Sequence, residues 1–575
     1  MNEHLETPLP PRRPDRSHPV RRGRARLAWA AVAVLAAGGV INPQPAALAD
    51  TGATASANEP MNGPMSGYAA DDGRDARLAR FDRQPITWHS CRRNRNDDIG
   101  KTLDAAGARC AEVTVPVDYS APDGRTTTVA ISRRKASDRA RRLGTLMINT
   151  GGPSESLSGV TWVLQGLPPF AVGSPQLAKR YDLVGMDPRF MGRNPPLACG
   201  WPTGLAEKAA FVGLDRASFD RSVALTRKLA ARCAGQKDLL PHVSTRNIAR
   251  DLDVIRAVLG ERKVSYLGWS YGGYLGGVYL QMFPDRVDRM LLDSPPDPDT
   301  YGADGARDNA PALAAEQRNW AAWAARHDDR YHLGATTAQV LASMDVIRRV
   351  ADRGRPVRIG RHRADLNLVR RLALGTDAEW TYARWSDMMR LLYDAARGVK
   401  VTPTPAQEEV LAILSSTEVN TEAAASAASR CADRASSSRD PEVYYRDIQA
   451  HRAGEPFFGP PNRNVTPCTF WPAEPAEPPT TIRNGRPVLI VGASGDPGTP
   501  YAGQLVMHRA LTGSRMLTLR GAYRHGVTFF EGNPCVDRVA NRYLLTGVLP
   551  GTDITCSRVS PYPGASGSGE TPTKD

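Results

Sequence analysis

The pentapeptide Gly268-Trp269-Ser270-Tyr271-Gly272 is the part of this 575-residue chain best suited to chemistry. A serine hydroxyl is a poor nucleophile until a base takes its proton, and that base needs an acid to orient it. The β-rich run Val264-Ser265-Tyr266-Leu267 precedes the motif. The small, apolar run Tyr274-Leu275-Gly276-Gly277-Val278-Tyr279-Leu280 follows it with helical character. Strand, Gly-x-Ser-x-Gly and helix in that order make a nucleophile elbow. The turn holds Ser270 strained at the strand tip. A side chain at Gly268 or Gly272 would collide with the neighbouring strand or helix. The helix N-terminus beneath Ser270 favours developing negative charge. The bland alternative is a purely structural turn.

On such a scaffold the chain order is serine, acid, histidine. After Ser270, the apolar strand Val488-Leu489-Ile490-Val491 runs into Gly492-Ala493-Ser494-Gly495-Asp496. Asp496 stands just past a strand end, where a carboxylate can meet a histidine. Asp293 also follows a strand and is the reserve candidate. Two histidines follow Asp496. His508 falls within a helix covering the sheet. His525 lies in a loop after the strand Arg515-Met516-Leu517-Thr518-Leu519, and a base must reach the nucleophile from such a loop. His525 is therefore the expected base. An oxyanion hole needs two preorganised N–H donors. Tyr271, directly after the nucleophile, supplies one. The loop Asn149-Thr150-Gly151-Gly152-Pro153-Ser154 is expected to supply the other. Pro153 has no N–H; Gly152 is the expected donor, because glycine allows close backbone approach, with a plain Gly-Pro turn as the alternative.

The elements around these residues alternate. Strands are expected over Ala111 to Val117, Thr127 to Ile131, Gly144 to Asn149, Tyr181 to Met186 and Arg289 to Asp293. A helix over Asn247 to Leu259 carries Ile248, Leu252, Ile255 and Leu259 on one face. This rhythm predicts an α/β-hydrolase fold with a mostly parallel central sheet. From 296 to 480 the rhythm gives way to an Ala-rich, helical stretch with Trp320, Trp323, Trp380 and Trp385, and it resumes at Pro487-Val488-Leu489-Ile490-Val491. The reading is a large helical lid insertion between core segments 85–295 and 481–558. An independent helical domain without a catalytic role is the alternative.

The first 49 residues read as a signal peptide. Arg12, Arg13, Arg16, Arg21, Arg22, Arg24 and Arg26 precede an apolar stretch from Leu27 to Ile41, shorter than a typical membrane span. Ala47-Leu48-Ala49 then places a cleavage site ahead of Asp50. Either Sec or twin-arginine export is compatible. Residues 50–84 read as a flexible leader or pro-segment and 559–575 as a disordered tail. Eight cysteines agree with export: Cys91, Cys110, Cys199, Cys233, Cys431, Cys468, Cys535 and Cys556. In an oxidising compartment they pair. Their separations favour neighbours in order along the chain. Part of the net charge of +14 sits in the first 49 residues, and the remaining Arg and Asp are interspersed with no long basic run, so a solvated surface is expected and not nucleic-acid binding. No metal-ligand spacing, phosphate loop or dinucleotide fingerprint occurs, so neither a metal nor a cofactor is expected.

These motifs resemble the secreted bacterial tripeptidyl aminopeptidases, α/β-hydrolases related to the prolyl aminopeptidases. The resemblance spans 85 to 557. It rests on Cys110 to Tyr119, on the Asn149 to Pro153 loop, and on Asp182-Leu183-Val184-Gly185-Met186-Asp187-Pro188-Arg189. It continues through Tyr266 to Gly276, Phe283 to Val287, Asp496-Pro497 and His525-Gly526-Val527. It implies Ser270, Asp496 and His525 as nucleophile, acid and base, and the release of short peptides from a free N-terminus. Three departures stand out. Thr150 replaces a proline, and Ser154-Glu155-Ser156 a Gly-rich continuation. Phe190 and Met191 follow Asp187-Pro188-Arg189 where the family usually has glycine. Tyr523 and Arg524 precede the histidine in place of small residues. An aminopeptidase must recognise a substrate ammonium, and Glu155 is one carboxylate near the catalytic loop able to do so. A solvent-facing loop glutamate is the bland alternative, and acidic residues on the lid are equally eligible.

The expectation is a secreted, monomeric serine exopeptidase acting on peptides with a free N-terminus, not inserted in a membrane after signal cleavage. A carboxylesterase or small-amide hydrolase on the same fold is the alternative, because fold and triad do not determine substrate. A catalytically dead binding protein is a third reading, opposed by the complete set of catalytic residues.

Overall fold

The computed structural model describes residues 76–166, 172–201, 215–352, 356–365, 368–369, 379–414, 421–530 and 532–558. The signal segment 1–49, most of the leader and the tail 559–575 lie outside the described residues.

Eleven strands are described. The first six are β1 (Arg109–Pro116), β2 (Thr126–Arg134), β3 (Gly144–Asn149), β4 (Tyr181–Met186), β5 (Val264–Trp269) and β6 (Val287–Asp293). The others are β7 (Val357–Ile359), β8 (His362–Ala364), β9 (Val488–Ala493), β10 (Ser514–Arg520) and β11 (Ile554–Ser557). Nine of them form one sheet in the order β1-β2-β4-β3-β5-β6-β9-β10-β11. The pairs β1/β2 and β2/β4 are antiparallel. Every pairing from β4 through to β11 is parallel. This is the α/β-hydrolase sheet.

The composition of the strands explains their place. β4, β5 and β9 are buried at every residue, as expected of parallel strands covered on both faces. Successive side chains then enter opposite cores. Along β5, Tyr266 joins one apolar cluster, together with Ile248, Leu252 and Ile255 from the helix Thr245–Val258. Leu267 and Trp269 join the other, with Val160, Leu177 and Tyr543. The helix Thr245–Val258 starts two residues before its expected limit because the Ser244 side chain caps it, accepting from the Asn247 N–H.

Among the described residues, the segment between β6 and β9 contributes no strand to the main sheet, yet β6 and β9 pair directly, Leu291 opposite Leu489. Within it, the helices Asn309–Ala325, Thr337–Asp352 and Glu379–Ala396 share a core of Leu313, Trp320, Met344, Ile347, Trp385 and Leu392. Trp320 and Trp385 stack there at 4.5 Å, so both serve packing. The short hairpin β7/β8 was not anticipated. The later helix Thr421–Asp433 belongs to a different cluster, in which Ala424, Ala428 and Cys431 meet Leu197, Leu229 and Val243.

Two further differences concern the edges. Residues 76–84 belong to the folded body, not to a flexible leader. Phe81 is buried in the core, and the Gln84 amide pairs with Thr114 on β1 through both its N–H and its carbonyl oxygen. One aromatic and one amide in a polar stretch are too weak a pattern to announce docking. The C-terminal strand β11 also escaped notice, being four residues long. The cysteines form Cys91–Cys110, Cys199–Cys233, Cys431–Cys468 and Cys535–Cys556. Among the described residues, no helix is long and apolar enough to cross a membrane.

Candidate active site

Because β5, β6, β9 and β10 run parallel and adjacent, the residues following them gather at one sheet edge. Ser270 follows β5, Asp496 follows β9 and His525 follows β10. Ser270 has φ 58° and ψ −123°, a conformation an L-residue holds at a cost of order 1–3 kcal/mol. The surroundings enforce it. A Cβ at Gly268 would lie 2.3 Å from the Gly272 carbonyl oxygen, and one at Gly272 would lie 2.6 Å from that of Asn149. The Ser270 N–H donates to the Asp293 carbonyl at 2.8 Å, and the Tyr266 hydroxyl braces the Gly272 carbonyl at 2.8 Å.

His525 and Asp496 are directly bonded. The Nδ1 atom lies 3.0 Å from both carboxylate oxygens. Asp496 also accepts from the Gly498 N–H at 2.8 Å, the Thr499 N–H at 2.9 Å and the Gln504 amide at 3.0 Å. With the Thr499 hydroxyl, at 3.1 Å, these donors from one loop, one helix and the His525 loop aim one carboxylate. Burial disfavours the His525 imidazolium, but Asp496 and, further off, Asp293 favour it more strongly, and the pKa is raised above 6.5. With Nδ1 committed to Asp496, Nε2 is left buried and without a hydrogen-bond partner. An imidazole held this way carries a free acceptor, the requirement for a general base.

Asp293, the reserve acid, does not orient the imidazole. Its carboxylate accepts the N–H groups of Val527, at 3.1 Å to each oxygen, and of Thr528, at 2.6 Å. It holds the backbone of the histidine loop. The Trp269 indole, next to the nucleophile, donates to the Thr528 carbonyl at 3.3 Å. His508 lies apart from these groups, bonded to Ser514 at 2.6 Å and paired with Asp553.

In the loop after β3, the Gly151 N–H is taken by the Asn149 side chain at 3.0 Å. Gly151 and Gly152 have φ of 101° and 107°, which glycine alone adopts readily. A Cβ at Gly151 would lie 2.9 Å from that of Ser270, so this loop abuts the nucleophile. Tyr271 is the first residue of the helix Tyr271–Met282, where backbone N–H groups have no intrahelical partner. Among the described residues, no group of histidine, cysteine and carboxylate side chains is arranged to hold a metal.

Residues 455–556 match the family model described as TAP-like protein. Over 496 residues the chain is 34% identical to the tripeptidyl aminopeptidase of Streptomyces coelicolor, an alignment covering 83% of this chain and 87% of the relative. The chain belongs to the tripeptidyl aminopeptidase family. It is also 29% identical to serine protease Hip1 of Mycobacterium tuberculosis, over 82% of this chain and 91% of that one. Its identity to carboxylesterase B of the same organism is 29%, over 82% and 90%. As an α/β-hydrolase of the tripeptidyl aminopeptidase family, the protein is a serine hydrolase.

The loops that set this tripeptidyl aminopeptidase relative apart have structural explanations. Phe190 occupies a glycine-type position, with φ 65°, and buries its ring against Met191, Leu197 and Trp201. Arg524 is buried and its Nε bonds the Gly526 carbonyl at 2.8 Å, bracing the turn after His525. The Thr150 hydroxyl reaches the Glu155 carbonyl at 2.9 Å, closing the loop after β3 on itself. Asp187 binds the N–H groups of Ser156 at 2.8 Å and Leu157 at 3.2 Å from below. Glu155 is half-buried and not solvent-facing. Its carboxylate accepts the Ser158 N–H at 2.9 Å and hydroxyl at 2.7 Å, and its backbone N–H meets Glu422 of the inserted segment at 3.2 Å. Burial raises the Glu155 pKa, Ser158 opposes this, and Glu422 raises it further.

Proposed function

We propose that the protein is a secreted serine exopeptidase that releases short peptides, tripeptides foremost, from free N-termini. The reading is carried by the His525–Asp496 pair on the same sheet edge as the Ser270 elbow, in a chain of this family. Ser270 Oγ attacks the scissile carbonyl while His525 Nε2 takes its proton. Asp496 holds the imidazole and stabilises the imidazolium. The N–H groups of Tyr271 and Gly152 receive the oxyanion. His525 then protonates the leaving amine, giving an acyl-enzyme on Ser270. Water, deprotonated by His525, releases the peptide and restores the hydroxyl.

Selection for a free N-terminus needs an acidic group at the end of the site. Glu155, beside Glu422, is the candidate: an ammonium there would offset the burial, and the smaller Glu422 repulsion, that raise its pKa. The inserted segment, starting beside the elbow's sheet edge, acts as a lid. Four disulfides and the N-terminal signal pattern support export, and N-terminal sequencing of protein from culture medium is expected to start at Asp50.

The deciding experiment compares the mature protein with Ser270→Ala on Ala-Pro-Ala-p-nitroanilide, its N-acetylated form and p-nitrophenyl butyrate. Ser270-dependent cleavage of the free peptide alone among the two peptides is expected. The identity to carboxylesterase B favours a second reading, ester hydrolysis. Butyrate turnover with both peptides untouched would establish it.

A further inference from the structure

The helix Thr421–Asp433 comes from the inserted segment but touches the core at three places, two of them in the loops after β3 and β4. Near its start, Glu422 accepts the N–H groups of Glu155 and Gly192, each at 3.2 Å. Near its end, Arg430 Nη2 donates to the Gly152 carbonyl at 2.9 Å, and Nη1 is held by the Ser426 hydroxyl at 2.9 Å. Asp433, the last residue, accepts the Thr245 N–H at 2.7 Å and hydroxyl at 2.6 Å. Thr245 in turn shares a hydrogen bond with the Tyr271 hydroxyl at 3.0 Å. Between them, Cys431 is tied to Cys468.

We propose that Arg430 is a positioning residue of the oxyanion hole: it fixes the Gly152–Pro153 peptide plane and so limits the rotation of Gly152 that would carry its N–H away from the site. The inference rests on the serine-hydrolase mechanism above. The two glycines Gly151 and Gly152 have no side chain to hold their peptide planes, and Pro153 has no N–H to anchor the next one. The Gly151 N–H is already bonded to Asn149. The Gly151 carbonyl, in the same peptide plane as the Gly152 N–H, accepts from the Ser154 hydroxyl at 3.3 Å. The Gly152 carbonyl is the hold on the other side of the residue, and there a guanidinium grips the backbone with a charge-assisted bond. Asp433 and the Cys431–Cys468 bridge fix the helix end that carries Arg430, and Asp433 reaches the side chain of the other donor, Tyr271, through Thr245. The inserted segment thus completes the catalytic centre in addition to covering it.

The test uses mature Arg430→Gln, Arg430→Lys, Ser426→Ala and Ser270→Ala. Each is assayed for kcat and KM on the free tripeptide anilide and on p-nitrophenyl butyrate. Inhibition by a peptide boronic acid, which forms a tetrahedral adduct on serine, is compared with inhibition by the product Ala-Pro-Ala. Arg430→Gln is expected to lower kcat roughly 10- to 100-fold on both substrates, short of the loss of a whole oxyanion donor. KM stays within about threefold, boronate affinity falls in step with kcat, and product affinity is unchanged; Arg430→Lys recovers most of the loss. Ser426→Ala, a helix-compatible change, shows a smaller fall in kcat and decides the matter if Arg430→Gln does not fold. Wild-type kcat and boronate affinity in the folded Arg430→Gln variant, a loss confined to KM, or equal losses in Gln and Lys with lowered Tm would each overturn the proposal. If Ser270→Ala retains activity, the mechanism itself fails; if it is inactive while Arg430→Gln is not impaired, only this inference does.

Discussion

The backbone N–H of Val527 lies 3.1 Å from each carboxylate oxygen of Asp293, two residues beyond His525. The acid at the end of β6 thus locates the base without touching its ring. Asp293→Ala leaves the Val527 and Thr528 N–H groups buried and unpaired, at about 1–3 kcal/mol each. The histidine loop should shift, lowering kcat by more than tenfold, with Asn at 293 recovering part of it. Unimpaired turnover by Asp293→Ala would show that the loop holds itself.

The raised His525 pKa sets the direction of the pH profile. The base works as neutral imidazole, so kcat/KM should rise with pH through a midpoint above 6.5. A midpoint near or below about 6 would contradict the net effect of Asp496.

Asp496→Asn removes the charge that favours the imidazolium and upsets the tautomer. A fall in kcat of about 10⁴ is expected, by analogy with the general serine-triad case, with the fold intact by circular dichroism. A loss below about tenfold would return the acid role to Asp293.

Glu155→Gln separates the two readings of that residue. An ammonium site predicts a KM for the free tripeptide anilide raised at least tenfold, with butyrate hydrolysis unchanged. A glutamate that merely holds Ser158 predicts equal, small effects on both.

Arg189 is buried with Asp251, bonded to both its oxygens at 2.6 and 2.8 Å and to the carbonyls of Pro116, Val117 and His242. Arg189→Met strands a buried carboxylate and should destabilise the protein by about 3–5 kcal/mol. Thermal unfolding measures this; a shift of under a degree would mean that Asp251 finds other partners.

The centre of the sheet was legible because β4, β5 and β9 are apolar at nearly every position and end in recognisable loops. Ser270, Asp496 and His525 were singled out by their order and by strand-end placement, and the His525–Asp496 bond joins two of them. Asp293 shows where such reasoning runs out: a strand-end aspartate looks the same whether it faces an imidazole or two backbone N–H groups. Arg430 gave no signal at all, since its partner Gly152 lies 278 residues away. The three-residue strands β7 and β8 are too short to show a period.

The four disulfides join each cysteine to its nearest neighbour in sequence, over separations of 19, 34, 37 and 21 residues. No bridge straddles another. If the proposed export threads the chain N-terminus first into an oxidising medium, each pair would emerge complete before the first cysteine of the next. Oxidation in order of emergence would then yield the native set with no reshuffling.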